Sequence, residues 1–324
     1  MKQKIIVPTD ADAAMDHYLS KRGYEVITCA NPGEDDILRL APDAAAVMMV
    51  SRKLSNDLYD QMPNLKILAR RGVGYDNIDV DYAGSKGVWV TNTPGANARA
   101  VAEAALMDIL MLARNIPQMT ARARTDGWSA AAGLHGHEIG GATVGIVGYG
   151  NVGRALAAML NSLGVRVLIY NRHPRETTDG TFVSWDELFK QSDYVSLHLA
   201  ATPETMHSVG AREFNLMKPT AGLVNLARGS VVDEPALIDA LQNGTIAAAA
   251  LDVFDQEPLP ADSLFWQMEN VLVTPHIGAD TIEAGREMAL TAAKMIDDVL
   301  SGKKPEFAVN EVKTERRNTG EGED

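Results

Sequence analysis

Ala142-Thr143-Val144-Gly145-Ile146-Val147 runs without interruption into Gly148-Tyr149-Gly150-Asn151-Val152-Gly153, and then into Arg154-Ala155-Leu156-Ala157-Ala158-Met159-Leu160. The first block is an apolar run of strand length and the last carries apolar residues at helical spacing, so the glycines fall at a strand-to-helix turn. Each glycine then has its own physical reason. Gly148 permits the tight turn, Gly150 lets the backbone approach a pyrophosphate, and Gly153 lets the helix pack close on its strand. Unpaired N–H groups and the dipole at the helix N-terminus, including those of Asn151 and Val152, attract phosphates. The alternative is a glycine-rich turn that binds nothing, and the flanking strand and helix weigh against it. The expected ligand is a dinucleotide.

The chain on either side keeps the same rhythm. Upstream, short apolar runs at 4–7, 25–28, 45–50, 66–69 and 88–91, with an amphipathic stretch at 11–22, read as a small flavodoxin-like α/β unit over residues 1–99. Residues 101–114 predict a long, mostly apolar helix carrying Glu103 and Asp108, apolar on enough sides to need several neighbours, a subunit interface among them. Residues 121–137 read as a connecting arm. Downstream of the glycines, strands near 165–170, 194–199, 222–225, 247–251 and 271–273 alternate with helices near 185–190, 212–217 and 234–242. That is a doubly wound Rossmann-type sheet. A last long helix over 281–300 returns to the first unit. The expected architecture is therefore α/β, with a Rossmann-type doubly wound parallel sheet (100–282) inserted into a smaller flavodoxin-like α/β domain (1–99 with 283–310). A charged, mobile tail over 311–324 follows.

Composition excludes several classes of partner. A chain of 324 residues suggests about two domains. Its formal net charge of −13 argues against nucleic acid or an anionic membrane as the main partner. Cys29 is the single cysteine, so there is neither an internal disulfide nor a cysteine-based metal cluster, and no metal is expected. The apolar stretch after Met1 is too short for a signal peptide, and no run reaches membrane-spanning length. The expected location is the cytoplasm.

Several polar residues stand where strands end, the usual place for ligands in open α/β sheets. Arg70-Arg71-Gly72-Val73-Gly74 offers backbone N–H groups beside cations and suits a small anion; a plain turn with solvated arginines is the other reading. The strand near 165–170 ends in Asn171-Arg172-His173-Pro174-Arg175, where an acid would bond the 2′-hydroxyl of NAD. Asn171 replaces that acid, and Arg172 and Arg175 suit a 2′-phosphate, so NADP(H) is the expected cofactor, with NAD(H) possible. Arg228, Glu257 and His276 also follow strands, and spacing alone leaves each of them an ordinary loop residue.

Together these segments resemble the D-isomer-specific 2-hydroxyacid dehydrogenase family from Lys4 to about Asn310. The blocks that carry the likeness are Gly72-Val73-Gly74-Tyr75-Asp76-Asn77-Ile78-Asp79, Ala100-Val101-Ala102-Glu103, the glycine motif and Met217-Lys218-Pro219. They continue with Asn225-Leu226-Ala227-Arg228-Gly229-Ser230-Val231-Val232-Asp233-Glu234, Leu251-Asp252-Val253-Phe254, Glu257-Pro258-Leu259 and Thr274-Pro275-His276-Ile277-Gly278. The resemblance implies catalysis in a cleft between a discontinuous substrate domain and the cofactor domain, and a homodimer. It implies that His276 donates the proton while hydride reaches a 2-oxo acid, and that Glu257 orients the imidazole and favours its charged form. It implies that Arg228 holds the substrate carboxylate, aided by the Val73 and Gly74 N–H groups, and that Asp252 and Thr202 touch the cofactor.

The same resemblance frames the choice of substrate. Formate dehydrogenases of this fold carry glutamine in place of the paired acid, so Glu257 implies oxo-acid chemistry. Ala200 stands where many members have proline, and Arg71 stands where many have alanine, adding a cation near the substrate loop. Glyoxylate or hydroxypyruvate reduction is the expected activity, favoured by Asn171-Arg172 and by the expectation of no regulatory domain after the last helix. The alternative is 3-phosphoglycerate dehydrogenase, because Arg70 resembles an arginine of those enzymes. A cofactor-sensing interaction protein is the reading from another class.

Overall fold

The structure, a computed structural model, describes residues 2–10, 12–174 and 176–313. Two compact units divide the chain: one takes the residues up to Asn97 and those from Asp280 onward, the other Ala98–Ala279.

The first unit alternates β1 (Lys4–Pro8), α1 (Ala13–Lys21), β2 (Glu25–Cys29), α2 (Glu34–Leu40), β3 (Ala46–Met49), α3 (Leu58–Gln61), β4 (Ile67–Arg70), α4 (Val80–Ser85) and β5 (Trp89–Thr91). Its sheet is parallel in the order β2-β1-β3-β4-β5, the flavodoxin-like order. Strands buried on both faces must be apolar throughout, which is why these segments read as unbroken apolar runs. Alternate residues serve opposite layers: Ile6, Val47, Leu68 and Val90 pack with Ile37 of α2 and Leu58 of α3, while Ile5, Met48 and Ile67 pack with Met15 and Leu19 of α1.

The second unit begins with α5 (Ala98–Ala113), α6 (Ile116–Thr125) and α7 (Trp128–Ala131). It continues through β6 (Thr143–Val147), α8 (Asn151–Ser162), β7 (Arg166–Tyr170), β8 (Thr181–Phe182), α9 (Trp185–Gln191), β9 (Tyr194–Leu197), α10 (Ala211–Leu216) and β10 (Gly222–Asn225). It ends with α11 (Glu234–Gln242), β11 (Ala248–Leu251) and β12 (Val271–Val273). All seven strands are parallel in the order β12-β11-β10-β9-β6-β7-β8. The strand order reverses beside β6, so the glycine loop stands at the switch point where a doubly wound sheet leaves a crevice.

α12 (Ile282–Leu300) belongs to the first unit, where Ala289, Ala292 and Ile296 join the α1 layer and Asp297 accepts hydrogen bonds from Arg22 Nε (2.8 Å) and Tyr24 Oη (2.9 Å). Asn310 then clamps the chain to β5, its Oδ1 accepting from Val90 N at 2.9 Å and its Nδ2 donating to the carbonyls of Val80 and Val88.

Two readings change. The stretch expected to be a connecting arm is helical in α6 and α7; Pro117 near the start of α6 supplies a fixed φ, and Asn115 before it adopts φ 53°. α2, α3 and α4 were not separable in the sequence, because helices of four to seven residues are too short to show a period. Of the tail expected over 311–324, residues 314–324 lie outside the described residues.

Candidate active site

The dinucleotide cradle can be built glycine by glycine. Gly148 takes φ 99°, and a Cβ on it would run into the carbonyl oxygen of His198, just past β9. A Cβ on Gly153 would run into the carbonyl oxygen of Gly148, so close helix–strand contact is what that glycine permits. At Gly150 a Cβ would meet no protein atom within 4 Å. Protein packing therefore does not demand glycine there, and the open space leaves room for a ligand to approach the backbone. Gly150 is also the residue before α8 and offers no side-chain cap, so the first-turn N–H groups of Asn151, Val152 and Gly153 point to an acceptor outside the helix. The residues present fit a dinucleotide pyrophosphate.

The end of β7 is partly committed to this loop. Asn171 Oδ1 accepts from Tyr149 N (3.2 Å) and its Nδ2 donates to the carbonyl of His173 (2.8 Å), so Asn171 fixes the glycine turn as well as standing where an acid would. Tyr149 is buried, and its hydroxyl donates to Asp179 Oδ2 at 2.8 Å. Arg172 is exposed, and its charge helps hold Glu204 below the usual carboxylate range, after the larger contribution of a hydrogen bond from Thr202. Thr202 lies in a self-bonded turn, with its N–H on Thr205 Oγ1 (2.8 Å). Arg175 lies outside the described residues.

Three loops of the second unit meet at the ends of β10, β11 and β12. After β10, the buried Asn225 staples the turn: its Oδ1 accepts from Ala227 N (3.0 Å) and its Nδ2 donates to the Arg228 carbonyl (2.9 Å). Gly229 has no room for a side chain, because a Cβ would strike the Phe254 backbone; the Arg228 loop thus lies directly on the loop after β11. That second loop is held by Glu234 Oε1, which accepts from Asp255 N at 2.7 Å. It delivers Glu257, whose Oε1 accepts from Phe254 N (3.1 Å) and whose Oε2 lies 2.7 Å from His276 Nδ1. Burial alone would raise the Glu257 carboxyl. The hydrogen bonds from His276 and Phe254 N, with the charges of His276 and Arg228, outweigh it and hold Glu257 below its ordinary range.

His276 itself sits at φ 56°, a left-handed conformation uncommon for a non-glycine residue. Asp252 maintains it. The Asp252 carbonyl accepts from His276 N (2.8 Å), and the buried Asp252 carboxylate accepts from Thr274 Oγ1 (2.7 Å), Ile277 N and Gly278 N (both 2.8 Å). The sequence reading gave Asp252 to the cofactor; in the structure most of its acceptor capacity serves the histidine loop.

In the first unit, the loop after β4 is shaped by its neighbours. Gly72 leaves space for the Arg70 guanidinium, since a Cβ there would lie 2.8 Å from Nη1. Arg70 Nη1 donates to the Arg71 carbonyl (2.8 Å). Asn92 Nδ2 donates to the Val73 carbonyl and Thr93 N to that of Gly72. None of the hydrogen bonds among the described residues uses the N–H of Val73 or Gly74. Arg71, the cation expected near the substrate loop, has a mostly buried guanidinium paired with Asp10 Oδ2 at 2.7 Å.

Asn92, Asn225, Glu234 and Thr274 carry the loops that present the candidate residues and were not singled out in the sequence. Asn225, Glu234 and Thr274 lie within motif blocks, whereas Asn92 directly follows β5 and carried no such signal. Among the described residues no group of His, Cys, Asp and Glu is arranged to hold a metal ion. No helix among them is long and apolar enough to cross a membrane.

Comparison with known proteins identifies the family. The family model for the NAD-binding domain of D-isomer specific 2-hydroxyacid dehydrogenases matches residues 106–278. A glyoxylate reductase of Thermococcus litoralis is 41% identical over 276 residues, 82% of this chain and 83% of that one. A D-3-phosphoglycerate dehydrogenase of Methanocaldococcus jannaschii is 37% identical over 88% of this chain and 55% of its own length. Among solved structures, an NADPH-dependent glyoxylate/hydroxypyruvate reductase of Sinorhizobium meliloti, in complex with NADP and malonate, has a TM-score of 0.84 at 30% identity, covering 98% of this chain and 99% of that one.

Proposed function

The chain belongs to the D-isomer-specific 2-hydroxyacid dehydrogenase family of oxidoreductases, and from that premise we propose that it reduces glyoxylate or hydroxypyruvate, with NADPH preferred over NADH. The observation that carries the reading is the 2.7 Å contact between His276 Nδ1 and Glu257 Oε2, with the Arg228 charge acting on the same carboxylate. A nicotinamide, when bound, supplies the hydride to the carbonyl carbon. His276 gives up a proton from Nε2, the nitrogen not engaged by Glu257, to the carbonyl oxygen as it becomes an alkoxide. Glu257 keeps the imidazole oriented. Arg228 holds the substrate carboxylate and polarises the carbonyl. In the first unit, the Val73 and Gly74 N–H groups suit a small anion. The first-turn N–H groups of α8 hold the pyrophosphate, and Arg172 the adenosine 2′-phosphate.

Met107 and Leu110 of α5, together with Trp128, are exposed in the single chain, and α6 buries none of its residues. This surface supports a homodimer formed through the cofactor-binding unit. The single cysteine and the acidic balance suit a cytoplasmic enzyme.

The test is a panel of initial rates for glyoxylate, hydroxypyruvate, pyruvate and phosphohydroxypyruvate, each with NADPH and with NADH. Glyoxylate and hydroxypyruvate with NADPH should give the highest kcat/KM. A clear advantage for NADH would remove the role given to Arg172. Phosphohydroxypyruvate as the best substrate would make the protein a 3-phosphoglycerate dehydrogenase, a reading that Arg70 at the end of β4 favours. Tight dinucleotide binding without reduction of any 2-oxo acid would point to a cofactor sensor.

A further inference from the structure

Within the second unit, α5 carries an acid for which the mechanism above has no use. Asp108 is 2% exposed, lies on the helix that packs against β10, β11 and α8, and keeps its Oδ1 buried without a hydrogen-bond partner. Its helical neighbours Ala105, Ile109 and Leu112 are core residues. A lone ionised carboxylate in such surroundings is strongly disfavoured. Of the elements packed on α5, β10 and β11 carry no ionisable side chain. α8 carries Arg154, which bonds Asn151, and α6 carries Arg122, which pairs with Glu269, and the exposed Arg124. α5 itself adds Arg99 and Glu103, paired with each other at 2.8 Å. The charge that acts on Asp108 is that of Asp252, one residue past β11 and of like sign. α5 packs on β11, and Asp252 follows β11 directly. Asp252 is also the carboxylate whose three accepted hydrogen bonds carry the 274–278 loop that presents His276.

We propose that Asp108 is a positioning residue: it stays protonated on the helix packed against β11, and its ionisation sets a second negative charge against the Asp252 carboxylate that holds the His276 loop, displacing that loop. The inference rests on His276 acting as the acid of the proposed reaction. Burial, with the Asp252 charge adding to it, pushes the Asp108 carboxyl up to about 7, so the change falls near neutral pH.

The sign of the stability effect follows. An unfolded chain ionises this acid near 3.8, whereas the fold accepts only its protonated form until about 7. The wild type therefore loses stability as pH rises between those values and levels off above them. Asp108→Asn keeps the shape and cannot ionise; Asp108→Ala serves as a second variant should the first fold poorly. Three readouts compare each variant with the wild type across pH: Tm, hydrogen exchange of the 274–278 segment, and kcat/KM for NADPH-dependent glyoxylate reduction. The variant's Tm advantage should widen with pH and become constant above about pH 7. Exchange in the 274–278 segment should accelerate in the wild type relative to the variant over the upper part of that range. The alkaline fall of kcat/KM should be steeper than one titrating group in the wild type and single-group in the variant. A Tm difference independent of pH would overturn the proposal, as would identical loop exchange at every pH. If neither protein reduces any 2-oxo acid while the Tm and exchange differences appear, the proposed reaction fails and the Asp108–Asp252 coupling stands.

Discussion

Replacing His276 by alanine is expected to lower kcat for 2-oxo acid reduction by about two to four orders of magnitude, the usual contribution of a positioned acid–base group. His276 is held left-handed by Asp252, its Nδ1 is taken by Glu257, and Nε2 is the nitrogen left for the substrate oxygen. Alanine removes the proton donor and keeps every backbone bond that fixes the loop. The dinucleotide cradle is built from the 148–153 turn and the start of α8, on other strands of the sheet, so NADPH affinity measured by fluorescence should stay close to that of the wild type. A kcat within tenfold of the wild type would mean that another group supplies the proton. A parallel loss of NADPH affinity would mean that the ring is structural.

Arg228→Ala is expected to cost roughly a hundredfold to a thousandfold in kcat/KM, the scale seen when one directed donor to a developing oxyanion is removed. Because the guanidinium is asked both to hold the carboxylate and to polarise the carbonyl, KM should rise and kcat should fall together. The loop should survive, since Asn225 bonds the backbone of residues 227 and 228 and Gly229 packs on the Phe254 backbone, neither contact using the Arg228 side chain. Lysine at this position should recover little, because a point charge does not reproduce the planar fork. A variant that lost only Tm, with its kinetic constants intact, would make Arg228 a structural residue.

Much of the fold was legible because parallel strands buried on both faces must be unbroken apolar runs, and β1, β3, β4 and β6 all read that way. The short helices α2 to α4 were not legible, and α6 was hidden because it buries no residue and so leaves no apolar stripe to detect. At the site, the glycine motif could be read for the reasons the structure displays, a positive φ at Gly148 and a close approach at Gly153. Arg228, Glu257 and His276 could be picked out only through a family resemblance, since nothing in their spacing tells three loops to converge. Long-range pairing was equally invisible: Asp10 against Arg71, and Asp252 against residues 274–278, join segments far apart in sequence. Those partners decide what Arg71 and Asp252 are free to do.

The central claim is that His276 gives up its proton under the influence of an ionised Glu257. Glu257→Gln isolates that influence, because the amide oxygen can still accept one hydrogen bond and the side chain keeps its shape while the charge is lost. The measurement is kcat/KM for glyoxylate reduction against pH in the wild type and in this variant. Against the burial that would raise it, the Glu257 carboxyl is lowered by its hydrogen bond to His276 and by the His276 charge, and the amide keeps only the hydrogen bond, so the pH profile of the variant should be displaced from that of the wild type. Superimposable profiles would contradict the account.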